Sequence, residues 1–429
     1  MFVVLRLLAL SPGLALRWSL PLVAAAAGAM AGAGYAWLTG AEVPTVRALV
    51  AALLVLAGLA LGREAITLRL VAAGALVVLA LWPEALIGAS FQFSFAAVTA
   101  IVALHDHPAS RRLFARREEA ALAAALRALA AILASGLAVE IALAPIALYH
   151  FHQQGVYGAL ANLAAIPLTT FVIMPAEALA LALDAAGLGA PLWWITGRAI
   201  DLLLALAQLT AAAPGAVLRL PLMPGGAALA MLAGGLWMLL WTRTHRWLGL
   251  APALGGAVWA VAPPPPDLIV TGDGRHVAVR GPAGDYAGIR AGNGGFVDMM
   301  LADAVASDSP LASLALSPDA RCSPDACVVT IIRQGRTWRM MVTRTDLMMP
   351  FQPLVAACAA ADIVVSDRRL PAGCRPRWLK LDRPALARSG GVAIRFGRQP
   401  SLAHAIRPDD RHPWRISRPQ PRGWSIAAQ

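Results

Sequence analysis

The sequence predicts a polytopic α-helical membrane domain over residues 1–262, followed by a small α+β soluble domain. Three observations predict it. Of the 429 residues, 59% are hydrophobic and only 14% charged, against about 25% charged in soluble proteins. Apolar runs near 20 residues long recur through the first 262 positions, the length that crosses a bilayer core of about 30 Å. Four consecutive prolines, Pro263–Pro266, then form a stiff spacer, beyond which short β-like runs replace the long apolar ones.

The apolar runs lie at 19–38, 46–62, 68–82, 88–104, 121–149, 157–186, 192–213, 225–242 and 248–262, which gives about nine helices. Several are short for a bilayer, so tilted, kinked or re-entrant spans are expected. The run 157–186 contains Pro167 and Pro175 and reads as one broken helix, because neighbouring helices re-satisfy a backbone opened by proline. Arg6 and Arg17 precede a full-length apolar segment, which argues against a cleavable signal peptide. Further basic clusters sit at Arg63/Arg69, Arg111/Arg112/Arg116/Arg117 and Arg243/Arg246. With the N-terminus inside and an odd number of spans, all four clusters fall on the cytoplasmic side and the soluble domain emerges in the periplasm.

Ionisable and amide groups inside such spans are costly and therefore informative. The channel-lining or structural candidates are Gln92, Arg127, Glu140, Asn162, Glu177, Arg198 and Asp201. Arg198 and Asp201, three apart, share a helix face and can neutralise each other. Gln92 sits in Ser90–Phe95, where polar and aromatic residues alternate. It is expected inside the bundle, its amide bonded to a neighbouring helix or lining a path.

The soluble domain is expected over 267–398, with a basic Pro/Arg-rich tail over 399–429. Its β-like runs are Asp267–Val270, His276–Val279, Cys327–Ile332, Thr337–Val342, Asp362–Val365 and Val392–Phe396, separated by turn signals such as Gly272-Asp-Gly274. From Asp267 onward there are 22 basic and 14 acidic residues, and Lys380 is the only lysine of the chain. This balance favours a polyanion or an anionic bilayer surface as partner, although high-GC genomes, which substitute arginine for lysine, produce such arginine content too. The tail from Arg395 interleaves seven arginines with Trp414 and Trp424; such a tail tracks a nucleic-acid strand or is simply solvated and disordered.

All four cysteines, Cys322, Cys327, Cys358 and Cys374, lie in the soluble part. Their even number suits disulfides in an oxidising compartment, preferably Cys322–Cys327 and Cys358–Cys374. Free structural thiols and a zinc site are the alternatives, and the tight C-x2-C spacing that zinc prefers is missing. His105-Asp-His107 looks like a ligand pair but reads as a solvated loop between spans. Neither a metal nor another cofactor is expected.

Three stretches stand out in order: Val43-Pro-Thr-Val-Arg-Ala48 with Leu61-Gly-Arg63; Pro83–Ala96 with its Ser-Phe-Gln-x-Ser-Phe core; and Glu140 through Ala144–Phe151 to Ala161-Asn-Leu-Ala-Ala-Ile-Pro-Leu168. Together they resemble the ComEC family of competence proteins, inner-membrane channels for transforming DNA. Full-length relatives begin with extra helices and an OB-like domain, so the resemblance implies that the chain is N-terminally truncated. The strand order past residue 266 is similar to the metallo-β-lactamase-like domain of many relatives. Val270-Thr-Gly-Asp-Gly-Arg275 stands where the family has Asp-Val-Gly-Gln-Gly-Asp. The family's His-x-His-x-Asp-His motif is absent, and Ala361–Arg369 lacks the usual His-His pair. A degenerate, metal-free domain with no hydrolase activity follows from that departure, since two-metal hydrolysis needs clustered ligands.

The resemblance implies a multi-pass protein of the bacterial inner membrane that takes up single-stranded DNA in natural competence. Its partners would be single-stranded DNA, the lipid bilayer, a periplasmic DNA receptor and a cytoplasmic helicase or ATPase, since the chain has no Walker A motif. An oligomer stays open. The rival readings are a membrane-anchored phosphoesterase or nuclease, and a truncated chain without transport function.

Overall fold

A computed structural model describes residues 20–40, 43–60, 67–115, 118–241, 243–290, 295–307, 310–345, 348–407 and 410. Arg6, Arg17, Arg63, Arg116, Arg117, Trp414 and Trp424 therefore lie outside the described residues, as does most of the basic tail. The chain divides into two compact units, residues 1–219 with 223–262, and residues 220–222 with 263–429.

The first unit is helical. Its helices are α1 (Leu20–Leu38), α2 (Val43–Ala60), α3 (Leu68–Leu81), α4 (Ala89–Asp106), α5 (Pro108–Phe114), α6 (Ala121–Phe151), α7 (Gly158–Leu168), α8 (Met174–Asp184), α9 (Ala190–Ala211), α10 (Gly225–Leu240) and α11 (Leu250–Val261). Alanine and leucine dominate these segments, and both are strong helix formers. Each of the nine apolar runs contains helix. Four helical stretches are long and apolar enough to cross a membrane: Ala89–Asp106, Ala121–Phe151, Gly158–Asp184 and Ala190–Ala211. The other apolar stretches among the described residues are shorter.

The prolines act as local defects within helices. At 157–186 the helix continues from α7 to α8 through a π turn at Thr169–Ile173. Pro175 follows that turn and has no N–H to give the previous one, so the backbone widens instead of breaking. The 31-residue α6 carries Pro145 inside it and is about 46 Å long at the usual rise, longer than a bilayer core. α4 packs on α6, α1 on α2 and α10 on α11.

His105 and Asp106 belong to the last turn of α4, with His107 as its cap. The expected loop at His105–His107 is thus a helix end; His105 Nδ1 meets the Ile101 carbonyl one turn back at 2.8 Å. A two-stranded ribbon, β1 (Gln153–Gly155) with β2 (Val217–Arg219), joins the chain after α6 to the chain after α9.

The second unit is built on two sheets. The six-stranded sheet has the order β13-β12-β3-β4-β5-β6: Ser401–His404, Val392–Arg395, Leu268–Val270, Val277–Arg280, Tyr286–Ile289 and Ala312–Ser313. The five-stranded sheet has the order β11-β10-β9-β8-β7: Leu379–Leu381, Ile363–Val365, Arg336–Thr343, Ala326–Arg333 and Ala320–Cys322. Neighbours run antiparallel except β5 with β6 and β10 with β9 and β11. The two-residue period of a strand sorts side chains between faces. Leu268 and Val270 enter the core between the sheets while Ile269 faces outward, and Ile363 and Val365 do the same with Val364 outward. Helix α12 (Phe296–Ala304) covers the outer face of one sheet and α13 (Phe351–Ala360) that of the other; a third helix, α14 (Arg383–Ser389), precedes β12. The unit is a four-layer α/β/β/α sandwich.

Both disulfides occur in this unit, Cys322–Cys327 and Cys358–Cys374, and no cysteine is left free. Register explains the first: Cys322 and Cys327 are direct cross-strand partners on β7 and β8, with Cα atoms 4.0 Å apart. The second ties the last turn of α13 to the loop after β10, both sulfurs in a buried apolar cluster.

Candidate functional site

The helical unit brings the middle of its sequence together. Gln92, half-buried on α4, takes a hydrogen bond from His150 Nε2 on α6 at 3.0 Å and donates from its own amide to the Leu86 carbonyl at 3.0 Å. Phe93 stacks on Phe151 beside it, centroids 5.8 Å apart. Ser90–Phe95 and Ala144–Phe151, far apart in sequence, thus form one contact. Glu140, also on α6, accepts from the backbone amides of Gly158 at 3.3 Å and Ala159 at 3.0 Å. These are orphan N–H groups of the first turn of α7, and a carboxylate there also meets the positive end of the helix dipole. Gly136 allows the approach, since a Cβ there would lie 3.3 Å from the Ala159 Cα.

The remaining candidates part company. Arg127 is held at the start of α6, where its Nε donates to Glu119 at 2.6 Å and its Nη1 to the Ala115 carbonyl at 2.7 Å. Asn162 on α7 and Glu177 on α8 are exposed. Arg198 and Asp201 pair with each other at 3.4 Å near the middle of α9, yet both side chains are about two-thirds exposed (68% and 66%). Arg198 also lies 5.9 Å from the Trp194 ring. A charged pair at mid-helix, open to the surroundings, does not belong against lipid tails. His150 was not among the sequence candidates; its signal was its place inside the Ala144–Phe151 stretch.

In the second unit the C-terminal ends of β3, β5, β9 and β10 converge. Two antiparallel steps make β3 and β5 point the same way, and β9 and β10 are parallel. The turn after β3 is an Asx turn: Asp273 accepts from the Thr271 hydroxyl at 2.5 Å and from the Arg275 amide at 3.0 Å. Burial pushes the Asp273 carboxyl up, but these hydrogen bonds and nearby His276 outweigh it and hold the group below the usual carboxylate range. Gly274 (φ +70°) rests on the end of β10, where a Cβ would come within 2.7 Å of the Ser366 carbonyl. Next to Ser366, the nearly buried Asp367 faces Arg290 at 3.3 Å, Arg275 at 3.7 Å and Arg368 at 3.8 Å. Three guanidinium groups face this carboxylate, and among the described residues no three His, Cys, Asp or Glu side chains group as metal ligands. That donor set does not fit a two-metal centre.

Comparison with known proteins fits the helical half of this picture. The model of the competence protein family matches residues 1–245, more than half of the chain. Uncharacterized protein YcaI of Escherichia coli (strain K12) is 30% identical over 199 residues, 45% of this chain and 24% of that protein. The chain thus spans about a quarter of that relative's length. No solved structure matches it. With a family match over more than half its length and the Gln92–His150 contact joining two of the three stretches that carry the likeness, the chain belongs to the ComEC family of competence proteins.

Proposed function

We propose that the helical unit forms part of the route by which single-stranded DNA crosses the bacterial inner membrane during natural transformation. The observation that carries the reading is the Arg198–Asp201 pair, charged and open near the centre of a membrane-length helix. Such a face needs water or protein against it, and an aqueous path for a polyanion supplies both water and a use for the arginine. The Gln92–His150 and Glu140–α7 contacts tie α4, α6 and α7 together, and α7 in turn packs on α9.

The experiment replaces the pair together, Arg198→Leu with Asp201→Leu. Protein level in the membrane should hold or rise, and uptake of labelled DNA should fall at least tenfold. Unchanged uptake at normal level, in a strain that depends on the chain, would sink the reading.

The second unit is read as metallo-β-lactamase-like in layer order and without hydrolase chemistry. Its four layers support the first point, and arginines at the strand ends the second. DNA incubated with the purified chain and manganese should stay uncut; cleavage that follows the protein through purification refutes this. A periplasmic position for the unit rests on the positive-inside pattern and the two disulfides.

A further inference from the structure

We propose that one end of the sandwich, where β9, β10 and β11 begin, is a docking surface for the anionic headgroups of a phospholipid bilayer. The proposal needs only that the chain is a membrane protein, and it stands apart from the transport reading.

Strand direction gathers this end. β8 runs antiparallel to β9, while β10 runs parallel to β9 and β11 to β10, so β8 ends where the other three begin. In the facing sheet, β12 and β4 end where β3 starts. Arg333 on Asp267 at 2.8 Å and Trp338 stacked on Phe396, centroids 4.8 Å apart, join the two sheets there. Arg336, Arg339, Arg377 and Arg398 are exposed around this end, and Arg395 is half-buried. The two buried acids of this end already have partners. Asp267 takes Arg333 and the Phe396 amide at 2.8 Å, and Asp362 takes the Arg339 amide at 2.8 Å. Even with Asp285 and Asp303 counted in full, arginines outnumber aspartates.

An exposed apolar group stands beside the charge. Ile332 is 64% exposed at the β8–β9 turn, whose central residues Gln334 and Gly335 both take positive φ (49° and 76°). Apolar area together with attraction to anionic lipid is what holds a protein at a bilayer interface.

Two observations choose lipid over a nucleic-acid strand. The first is the path of the chain. Val261 is the last residue of α11, a helix without a charged side chain. Pro264 follows three positions later, a reach of at most about 11 Å. Arg395 Nε donates to the Pro264 carbonyl at 2.8 Å and Tyr286 to the Pro266 carbonyl at 2.5 Å. The four-proline spacer is thus fastened to the sandwich at this end, beside the arginines. The second is that the aromatic rings are covered. Trp338 is 2% exposed with the Arg336 guanidinium 3.9 Å from its centroid, and Phe396 is 4% exposed. Bases of a single strand find no stacking platform there, whereas headgroup phosphates need only the charge.

The full chain is reconstituted in nanodiscs of phosphatidylcholine, alone or with about one third phosphatidylglycerol, and amide hydrogen exchange is followed by mass spectrometry. Amides of 333–336 and 397–399 should exchange at least threefold more slowly in the anionic discs. The turn at 272–275, at the opposite end of β3, should not change. Salt at about 1 M, with a Debye length near 3 Å, should erase the difference. Arg339→Gln/Arg377→Gln/Arg398→Gln should erase it at low salt. Should that variant fail to fold by circular dichroism, the salt dependence of the parent decides. Equal exchange in the two discs, or a difference that persists in high salt or in the folded variant, overturns the proposal. Oligothymidylate added to the neutral discs is the rival arm. Protection of the same amides by the oligonucleotide, with no effect of phosphatidylglycerol, overturns lipid docking and assigns the arginines to nucleic-acid phosphates.

Discussion

Alanine and glycine make up most of the buried positions of the helical unit, with a few larger side chains such as Phe91 and Ile146, whereas valine, isoleucine, leucine and methionine fill the interior of the sandwich. The buried positions of the first include Ala24, Ala36, Ala100, Ala180 and Ala227, while Trp37, Leu76, Leu122 and Phe171 point outward. In the second, Leu268, Ile363, Met340 and Trp338 are inside, and the ionic groups lie at the strand ends and edges. The difference teaches what the surroundings select. In water, large apolar side chains are driven inward at roughly 25 cal/mol per Å². In lipid that drive vanishes, and close backbone packing between small residues takes its place. The sandwich is further cross-linked by two disulfides, and the helical unit has no cysteine at all.

Reduction should break this comparison most sharply. Opening both bridges removes two loop constraints, together about 5 kcal/mol by loop-entropy arithmetic. Dithiothreitol should lower the thermal transition of the sandwich and leave that of the helices unchanged, followed by near-ultraviolet dichroism. Thiol labelling in intact, unreduced cells tests the compartment as well: four reactive cysteines would refute both the bridges and the periplasmic placement.

Next in size is a glycine of the helical unit. A Cβ on Gly256 of α11 would meet the Ala227 carbonyl at 2.7 Å and the Met231 backbone nitrogen at 2.9 Å on α10. Gly256→Leu should cost about 3 kcal/mol through overpacking. Its neighbour Gly255 faces open space, so Gly255→Leu should be nearly neutral. Melting temperatures in detergent that are equal for the two variants would contradict a small-residue interface.

The smallest effect sharpens the picture of the sandwich. Tyr286, the only tyrosine of that unit, donates to the Pro266 carbonyl at 2.5 Å. Burial, opposed in part by Arg280, pushes its hydroxyl up to about 12. The folded state therefore keeps a proton that the unfolded chain loses near pH 10. Stability from this group is complete below pH 10 and is lost as pH rises toward 12, by about 2 kcal/mol. Urea midpoints between pH 9.5 and 11.5 should fall in the parent and fall less in Tyr286→Phe. Equal slopes would place the phenol in water.

Much of both units was legible in the residues. Runs such as 121–149 and 192–213 declare helix because length and apolarity suffice, whatever their neighbours. Leu268–Val270 and Ile363–Val365 declare strands because β-branched residues bounded by turns have few other uses. Tyr286–Ile289, Leu379–Leu381 and Ser401–His404 went unread: short strands with glycine, charge or histidine owe their state to the ladder they join. The candidate site divides in the same way. Gln92, Glu140, Arg198 and Asp201 stood out in the sequence because polar groups in an apolar run are costly wherever the run folds. That His150 meets Gln92 across 58 positions, or that Arg275, Arg290 and Arg368 gather on Asp367, depends on helix packing and on strand ends meeting. Local pattern is set by each residue's own solvation and backbone preference, and the sequence alone determined that much. Which distant side chains share a site is set by registers and crossovers, which only the tertiary structure decided.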